Sequence, residues 1–366
     1  MTTPYVGILV NSKLYEGLKK HDTKREHIEF YEEAMKPWGI HICYFRLTDV
    51  DRQLCQVLAY VKPQDHFIQT WLPMPRVVHN RAIHLDHHAF LELERWRQQG
   101  IHIFNQWNRY NKWYIHNILM KEKSLHRYLP VTYRATVNRI FMMRNKFPSI
   151  IIKPNKSSIG RGIMKLDRLS SKSCCLTYPK TLKLSNRVWK KIYFRNQLPQ
   201  VLCRRIQKSP YIVQQRIPLA TCEGQPFDLR VSVQRGGTGQ WGITGVVAKV
   251  ATKNHFLTNI GQGGRVFTMD EIFKFNQRLV KKQVMEDVHE CALKVVAHLS
   301  LELPHLADLG LDIGICADGS PMFIECNGKD QRYSFRRAGL LREWKATYET
   351  PMAYAKYLLD QHQGLT

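Results

Sequence analysis

Two short segments late in the chain set oxygen ligands on apolar backbones: Gly310-Leu311-Asp312-Ile313-Gly314 and Phe323-Ile324-Glu325-Cys326-Asn327. Each has the composition of a strand, and Asp318-Gly319-Ser320-Pro321 between them supplies turn residues, so the pair reads as a hairpin. Side chains two apart on a strand share a face, which joins Glu325 to Asn327; pairing across the hairpin brings Asp312 beside them. Two carboxylates and an amide suit Mg²⁺, which takes one or two carboxylates, substrate phosphates and several waters. Taken alone, the same residues describe a hairpin with a wet side, and that plainer reading is the stronger one.

The hairpin has company upstream. Ile150-Ile151-Ile152-Lys153-Pro154 is an apolar strand ending in a lysine, and Ser157-Ser158-Ile159-Gly160-Arg161-Gly162-Ile163 follows directly. Backbone N–H groups of such a loop can close on an anion, with the lysine as a point charge for phosphate. The spacing matches neither the Walker A loop nor the dinucleotide fingerprint, so neither of those nucleotide chemistries is indicated. A third block contains Tyr211-Ile212-Val213-Gln214-Gln215-Arg216-Ile217, a strand running into an irregular stretch. Asp228-Leu229-Arg230 and Val247-Ala248-Lys249 come next, then Thr258-Asn259-Ile260 with Gly261, Gly263 and Gly264. Each block alone is weak, whereas the ordered set is specific.

That ordered set resembles the ATP-grasp superfamily from Trp107 onward. Over the whole chain, including Val78-His79-Asn80-Arg81 and the segment around Lys112, it resembles the YheC/YheD family of endospore coat-associated ATP-grasp proteins. The resemblance implies a chain of α/β and α+β class: residues 1–106 as a small parallel α/β pre-ATP-grasp domain, and residues 107–366 as an ATP-grasp domain whose two lobes clamp ATP. It further implies that Lys112, Lys153, Ser157, Ser158, Gly160 and Gly162 contact phosphates and that Gln214, Gln215 and Ile217 face adenine. Asp312, Glu325 and Asn327 would hold Mg²⁺, while Arg230, Lys249 and Asn259 would stabilise the transferred phosphoryl group. The implied activity is ADP-forming ligation of a carboxylate to an amine through an acyl phosphate. Two positions depart from the pattern. Gln214 stands where many relatives have glutamate, and Lys249 stands where peptide ligases have arginine, keeping the charge and losing the bidentate fork.

Composition bounds the partners. The 366 residues carry a net charge of +25, which favours acidic partners. From Lys165 to Arg216 there are thirteen lysines and arginines, among them Lys183 and Arg187, against Asp167 as the one acid. Trp189, Ile192, Tyr193, Val201, Leu202 and Ile206 within it read as a helix with one basic side, interrupted near Pro199. This segment is a solvated basic face or a docking surface for an acidic peptide or polymer. Two competing readings of the whole chain are a non-catalytic nucleotide-binding protein of the spore coat and a nucleic-acid binder. The latter lacks a base-stacking motif. Nine cysteines form no Cys-x-x-Cys pair, which fits a reducing cytoplasm. No apolar run approaches the roughly 18 residues of a membrane span, and Tyr5-Val6-Gly7-Ile8-Leu9-Val10 reads as a first strand, not a signal peptide.

The elements that must position these groups follow from periodicity. Strands are expected at Tyr5–Val10, His41–Arg46 and Ile101–Asn105, alternating with helices at 25–36, 51–61 and 86–99. Further helices are expected at 109–127, 138–146, 281–300 and 352–361. His79, His84, His87 and His88 gather near Asp86, but no glutamate stands between His84 and His88 as a zinc-peptidase motif requires, so they read as surface or helix-start histidines. Arg81 is the better functional residue there, placed by the resemblance near the interdomain cleft.

Overall fold

The alternation of apolar and polar residues builds three sheets in this computed structural model, which describes residues 4–84, 86–181, 188–253, 255–303 and 305–363. In the first sheet Tyr5–Leu9 pairs in parallel with His41–Phe45 and Val77–Asn80, and Val77–Asn80 pairs in parallel with His102–Phe104. Most residues of these strands are buried, because helices cover both faces. Helix Glu29–Met35 packs Tyr31 and Met35 with Val6, Ile8 and Ile42 on one side. Helix His87–Gln98 packs Leu93 and Trp96 with Leu9, Val78 and Ile103 on the other.

The segment 51–61, expected as a helix, is instead a turn over 52–55 followed by strand Gln56–Val61. Gln56–Val61 pairs antiparallel with His41–Phe45 and with Ile68–Pro73, giving the parallel sheet an antiparallel flank. Val57, Ala59 and Val61 are buried at a period of two, and β-branched valines pack more readily on a pleated surface than along a helix.

The second sheet is antiparallel, in the order Trp189–Phe194, Cys174–Pro179, Met164–Arg168, Ser149–Pro154, Tyr211–Gln215, Thr132–Arg134. Helices Val137–Lys146 and Gln200–Lys208 cover one face, sharing a core of Ile140, Met143, Ile150, Ile152, Leu176 and Leu202. The expected basic helix is thus two elements. Residues 189–194 form an edge strand, and only Gln200–Lys208, starting after Pro199, is helical. Lys183 and Arg187 lie outside the described residues.

The third sheet runs Arg265–Phe267, Trp241–Val250, Gln225–Arg235, Asp308–Ile315, Pro321–Asn327, all antiparallel. Helix Lys281–Glu302 lies on one face, its Val284, Val288, Val295 and Leu299 in one core with Leu229, Val231 and Leu311. Helix Leu341–Gln363 lies on the other, longer than the 352–361 expected. Trp344, Tyr348, Met352, Ala355 and Leu359 are buried at helical spacing, and this stripe carries the helix through Pro351. Among the described residues no helix is long and apolar enough to cross a membrane.

Candidate active site

The site begins with strict alternation in Gln225–Arg235. Phe227, Leu229, Val231 and Val233 face helix Lys281–Glu302, which leaves Asp228, Arg230, Ser232 and Gln234 on the opposite face. Register then assembles a polar row on that face: Asp228 lies opposite Lys249, Arg230 opposite Asp312, Asp312 opposite Glu325, and Gly310 opposite Asn327. Lys249 Nζ is 3.0 Å from Asp228 Oδ1 and 2.8 Å from Asp312 Oδ1, and Arg230 Nε is 2.9 Å from the same Asp312 oxygen. Lys112 Nζ, from the start of helix Lys112–Leu119, is 3.0 Å from Glu325 Oε2 and donates to the Ser157 carbonyl at 2.9 Å.

The pairing of Asp308–Ile315 with Pro321–Asn327 is irregular between Asp312 and Ile313, so Ile324 has no cross-strand partner. Such a bulge re-aims side chains. Phe323 turns into the core, while Ile324 and Glu325 both line a cleft of about 490 Å³ between the second and third sheets. The opposite wall holds Lys153, Gln214, Gln215, Ile217 and Gly160. Lys153 is buried, with Nζ 3.4 Å from the Ile324 carbonyl. Burial, helped by neighbouring Lys112, lowers its pKa to about 8. Burial pushes the Glu325 carboxyl up, but Lys112 and Lys153 outweigh it and hold that pKa near 2. For Asp228 burial prevails over Lys249, and its carboxyl is raised. Gln214 donates to Thr132 Oγ1 at 2.8 Å, whereas the Gln215 side-chain oxygen accepts from the Val131 N–H at 3.4 Å.

The glycine loop crosses the cleft. Ile159, Gly160 and Gly162 all take left-handed backbone, at φ of 57°, 62° and 77°. At Gly162 a Cβ would lie 2.8 Å from the Pro154 ring, so only glycine permits this turn beside the Lys153 strand. Gln262 Nε2 donates to the Ile159 carbonyl at 2.6 Å, tying the loop to the third-sheet side. Ser157 Oγ donates to the Arg161 carbonyl, Ser158 lines two smaller hollows beside the cleft, and the Asn259 side chain accepts from the Gly261 N–H.

Asp312, Glu325 and Asn327 therefore converge on one sheet face, with the Asn327 amide donating to the Gly310 carbonyl at 3.3 Å. Their hard oxygen set fits a magnesium ion: Glu325 is held ionised at neutral pH, and each of the three side chains offers an oxygen. Five cations, Lys112, Lys153, Arg216, Arg230 and Lys249, stand against three carboxylates, Asp228, Asp312 and Glu325, around a cleft crossed by the glycine loop. This arrangement can bind a polyphosphate with its metal, position it, and neutralise charge that develops on oxygen.

Spacing had not linked several residues of this row. Asp330 accepts from Arg230 at 3.0 Å and from Ser232, and Thr258 donates to Asp228. Alternation in Gln225–Arg235 was the available signal for Ser232; for Asp330 there was none, since its partners are about a hundred residues away. Arg81, expected at the cleft, is instead buried at the junction of the first and third sheets. It donates to Glu26 at 2.9 and 3.2 Å, to Asp308 at 3.1 Å and to the Asp330 carbonyl at 3.0 Å. Arg332 joins it, 2.6 Å from Asp308. His79, expected at the surface, is fully buried and stacks on Phe104 at 4.4 Å, and Asp86 caps helix His87–Gln98.

A model of the YheC/D-like ATP-grasp family matches residues 100–358. The endospore coat-associated protein YheD of Bacillus subtilis is 25% identical over 303 residues, covering 79% of this chain and 64% of YheD. The endospore coat-associated protein YheC of the same organism is 24% identical over 257 residues, covering 69% of this chain and 68% of YheC. The chain thus spans less than two thirds of YheD. D-alanyl-alanine synthetase A from Vibrio cholerae superposes with a TM-score of 0.51 at 13% identity, over 95% of this chain and 99% of that one. The ATP-grasp ligase PsnB, solved with its precursor peptide and AMPPNP, gives 0.50 at 13% identity over the same shares. These superpositions show the ATP-grasp fold.

Proposed function

Because this chain belongs to the YheC/D-like ATP-grasp family, we propose that it is an ADP-forming ligase, joining a carboxylate to an amine through an acyl phosphate with ATP and Mg²⁺. The observation that carries this reading is the cation-and-carboxylate row of Lys153, Arg230, Lys249, Asp312 and Glu325 under a glycine loop. In the proposal residues 1–106 form the pre-ATP-grasp domain and residues 107–366 the ATP-grasp domain. Lys112, Lys153 and the backbone of Ser157, Ser158, Gly160 and Gly162 bind phosphates, while Gln214, Gln215 and Ile217 border the base. Asp312, Glu325 and Asn327 hold Mg²⁺, which when bound supplies charge neutralisation at the phosphates.

The chemistry needs no side-chain nucleophile. A substrate carboxylate oxygen forms a bond to the γ-phosphorus as the bond to the β,γ-bridging oxygen breaks and ADP departs. Arg230, Lys249 and Asn259 face the charge on the transferred group. The amine then attacks the acyl carbon, phosphate leaves, and the amine gives up a proton. The basic edge of the second sheet supports an acidic peptide or polymer as acceptor. The names of YheD and YheC support a role in endospore formation. A non-catalytic nucleotide-binding coat protein is the alternative, and it would hold ATP without forming ADP.

Calorimetry with ATP and Mg²⁺ tests the nucleotide site. Binding to the unmodified protein, weakened at least tenfold in Lys153→Ala, is expected. Equal affinity in the variant removes Lys153 from the site.

A further inference from the structure

The first sheet carries a cavity of its own, at the end away from the cleft. Arg76 and Ile101 immediately precede the parallel strands Val77–Asn80 and His102–Phe104, and both line a cavity of about 480 Å³. It shares no residue with the cleft between the second and third sheets. Arg81, at the junction, follows the other end of Val77–Asn80. The volume falls within the roughly 300–1,000 Å³ of small-molecule pockets.

The lining divides into an apolar part, with Val50, Met74 and Ile101, and a guanidinium part of Arg52, Arg76 and Arg95. Glu92 organises two of the arginines. Its side chain is buried; Oε1 accepts from Arg52 Nε and Trp96 Nε1, each at 3.0 Å, while Oε2 lies 2.8 Å from Arg52 Nη2 and 3.1 Å from Arg95 Nη1. A carboxylate so buried is tolerated only when fully paired, and here the pairing fixes two guanidiniums at one place. The turn over 52–55 is fixed as well. Asp51 Oδ1 accepts from the N–H groups of Gln53 and Leu54 at 2.9 and 3.0 Å, and the Met74 N–H donates to the Cys55 carbonyl at 2.9 Å. A site so braced needs little reorganisation to bind.

A clamp that holds this turn on helix His87–Gln98 accounts for Arg52 and Arg95. It does not account for Arg76, whose side chain makes no hydrogen bond or ion pair among the described residues. The two acids of the lining are already engaged, Asp51 by the turn and Glu92 by the clamp. All three cations are arginines, whose planar fork matches the paired oxygens of a carboxylate or phosphate, where lysine offers only a point charge.

We propose that this cavity binds a small organic oxyanion, a carboxylate or a phosphate monoester on an apolar body. Arg76 and Arg95 take the oxygens, and Val50, Met74 and Ile101 border the body. The site is independent of the ligase reading and stands if that reading fails.

Calorimetry with benzoate, hexanoate and phenyl phosphate tests it. Benzyl alcohol is the control without charge, and inorganic phosphate the control without an apolar body. At least one of the three organic anions binds one to one with a Kd below about 1 mM, and both controls bind at least tenfold more weakly. Preference for the carboxylates or for phenyl phosphate assigns the head group. Arg76→Ala weakens the anion about tenfold with thermal unfolding unchanged, and Arg76→Lys recovers only part of the loss. Lys153→Ala, in the other cleft, leaves the affinity within twofold. Cys55 reports the place: it is exposed at this cavity, whereas the other cysteines are buried or half-buried. A saturating anion therefore slows its alkylation by iodoacetamide, read from the masses of the digested peptides. The inference is overturned if no organic anion binds, if a control binds as tightly, or if Arg76→Ala matches the unmodified protein. It is overturned equally if Lys153→Ala weakens binding as much as Arg76→Ala does, or if the bound anion leaves Cys55 alkylation unchanged.

Discussion

Replacing Arg81 by alanine tests whether this residue joins the sheets or serves the cleft. Its guanidinium makes four hydrogen bonds, to Glu26, Asp308 and the Asp330 carbonyl, with 2% of its surface exposed. At the junction Glu26 and Asp308 face Arg81 and Arg332, with Lys329 also acting on Glu26, so Arg81→Ala strips the buried Glu26 carboxylate of its strongest partner and leaves it the Tyr31 hydroxyl as hydrogen-bond donor. Breaking a buried pair from one side costs about 3–5 kcal/mol. Arg332 remains 2.6 Å from Asp308 and 3.7 Å from Glu26, which places the loss at the lower end, about 3 kcal/mol. At roughly 2–4 °C per kcal/mol for a domain of this size, thermal unfolding should fall by about 6–12 °C. The double variant Glu26→Gln with Arg81→Met removes the stranded carboxylate together with its partner and should recover at least half of that loss. The pH dependence has a fixed sign. Burial pushes both carboxyls up, but the arginines outweigh it and hold them far below the usual range. Their contribution is present above their unfolded pKa values of about 4 and is lost as pH falls further. The reasoning is refuted if Arg81→Ala melts within about 2 °C of the unmodified protein, or if the double variant is no more stable than the single one.

Three further outcomes follow from the cleft. At pH 8 about half of the Lys153 amines are neutral, since burial and Lys112 bring the pKa to about 8; phosphate binding restores the charge, so ADP should take up roughly half a proton at pH 8 and almost none at pH 6. Titration in buffers of different ionisation enthalpy reads this, and heats independent of buffer at pH 8 would contradict it. Glu325→Gln and Asn327→Ala should abolish metal-dependent turnover while thermal unfolding moves by less than about 4 °C; a shift like that of a core truncation, about 2 kcal/mol or more, would favour the plain hairpin. Charge reversal at exposed Lys190, Lys191 and Arg204, leaving Arg205 on its Pro179 carbonyl, should raise KM for an acidic acceptor at low salt and lose its effect near 1 M salt; unchanged KM would make this edge a solvated face.

How much of this was legible depends on how local the cause is. The hairpin of Asp312 and Glu325, the lysine at the end of 150–154 and the glycine loop are each set by neighbours within a few residues, and they stand where the sequence puts them. The bulge that turns both Ile324 and Glu325 to the cleft was not legible, because it comes from pairing with a neighbouring strand. Segment 51–61 misled because its spacing suits a helix, while the free edges of His41–Phe45 and Ile68–Pro73 decided for a strand. The junction was hidden for a different reason. Arg81 meets partners 55 and 227 residues away, and no local pattern marks a side chain whose role is set by such contacts.

ADP formation from ATP, Mg²⁺ and pooled carboxylates and amines measures the central claim most directly. The account predicts that ADP and phosphate appear in equal amounts only when both pools are present, with an amide product, and that Glu325→Gln lowers the rate at least a hundredfold. ATP that binds without yielding ADP from any combination, or ADP formation that survives Glu325→Gln, would contradict it.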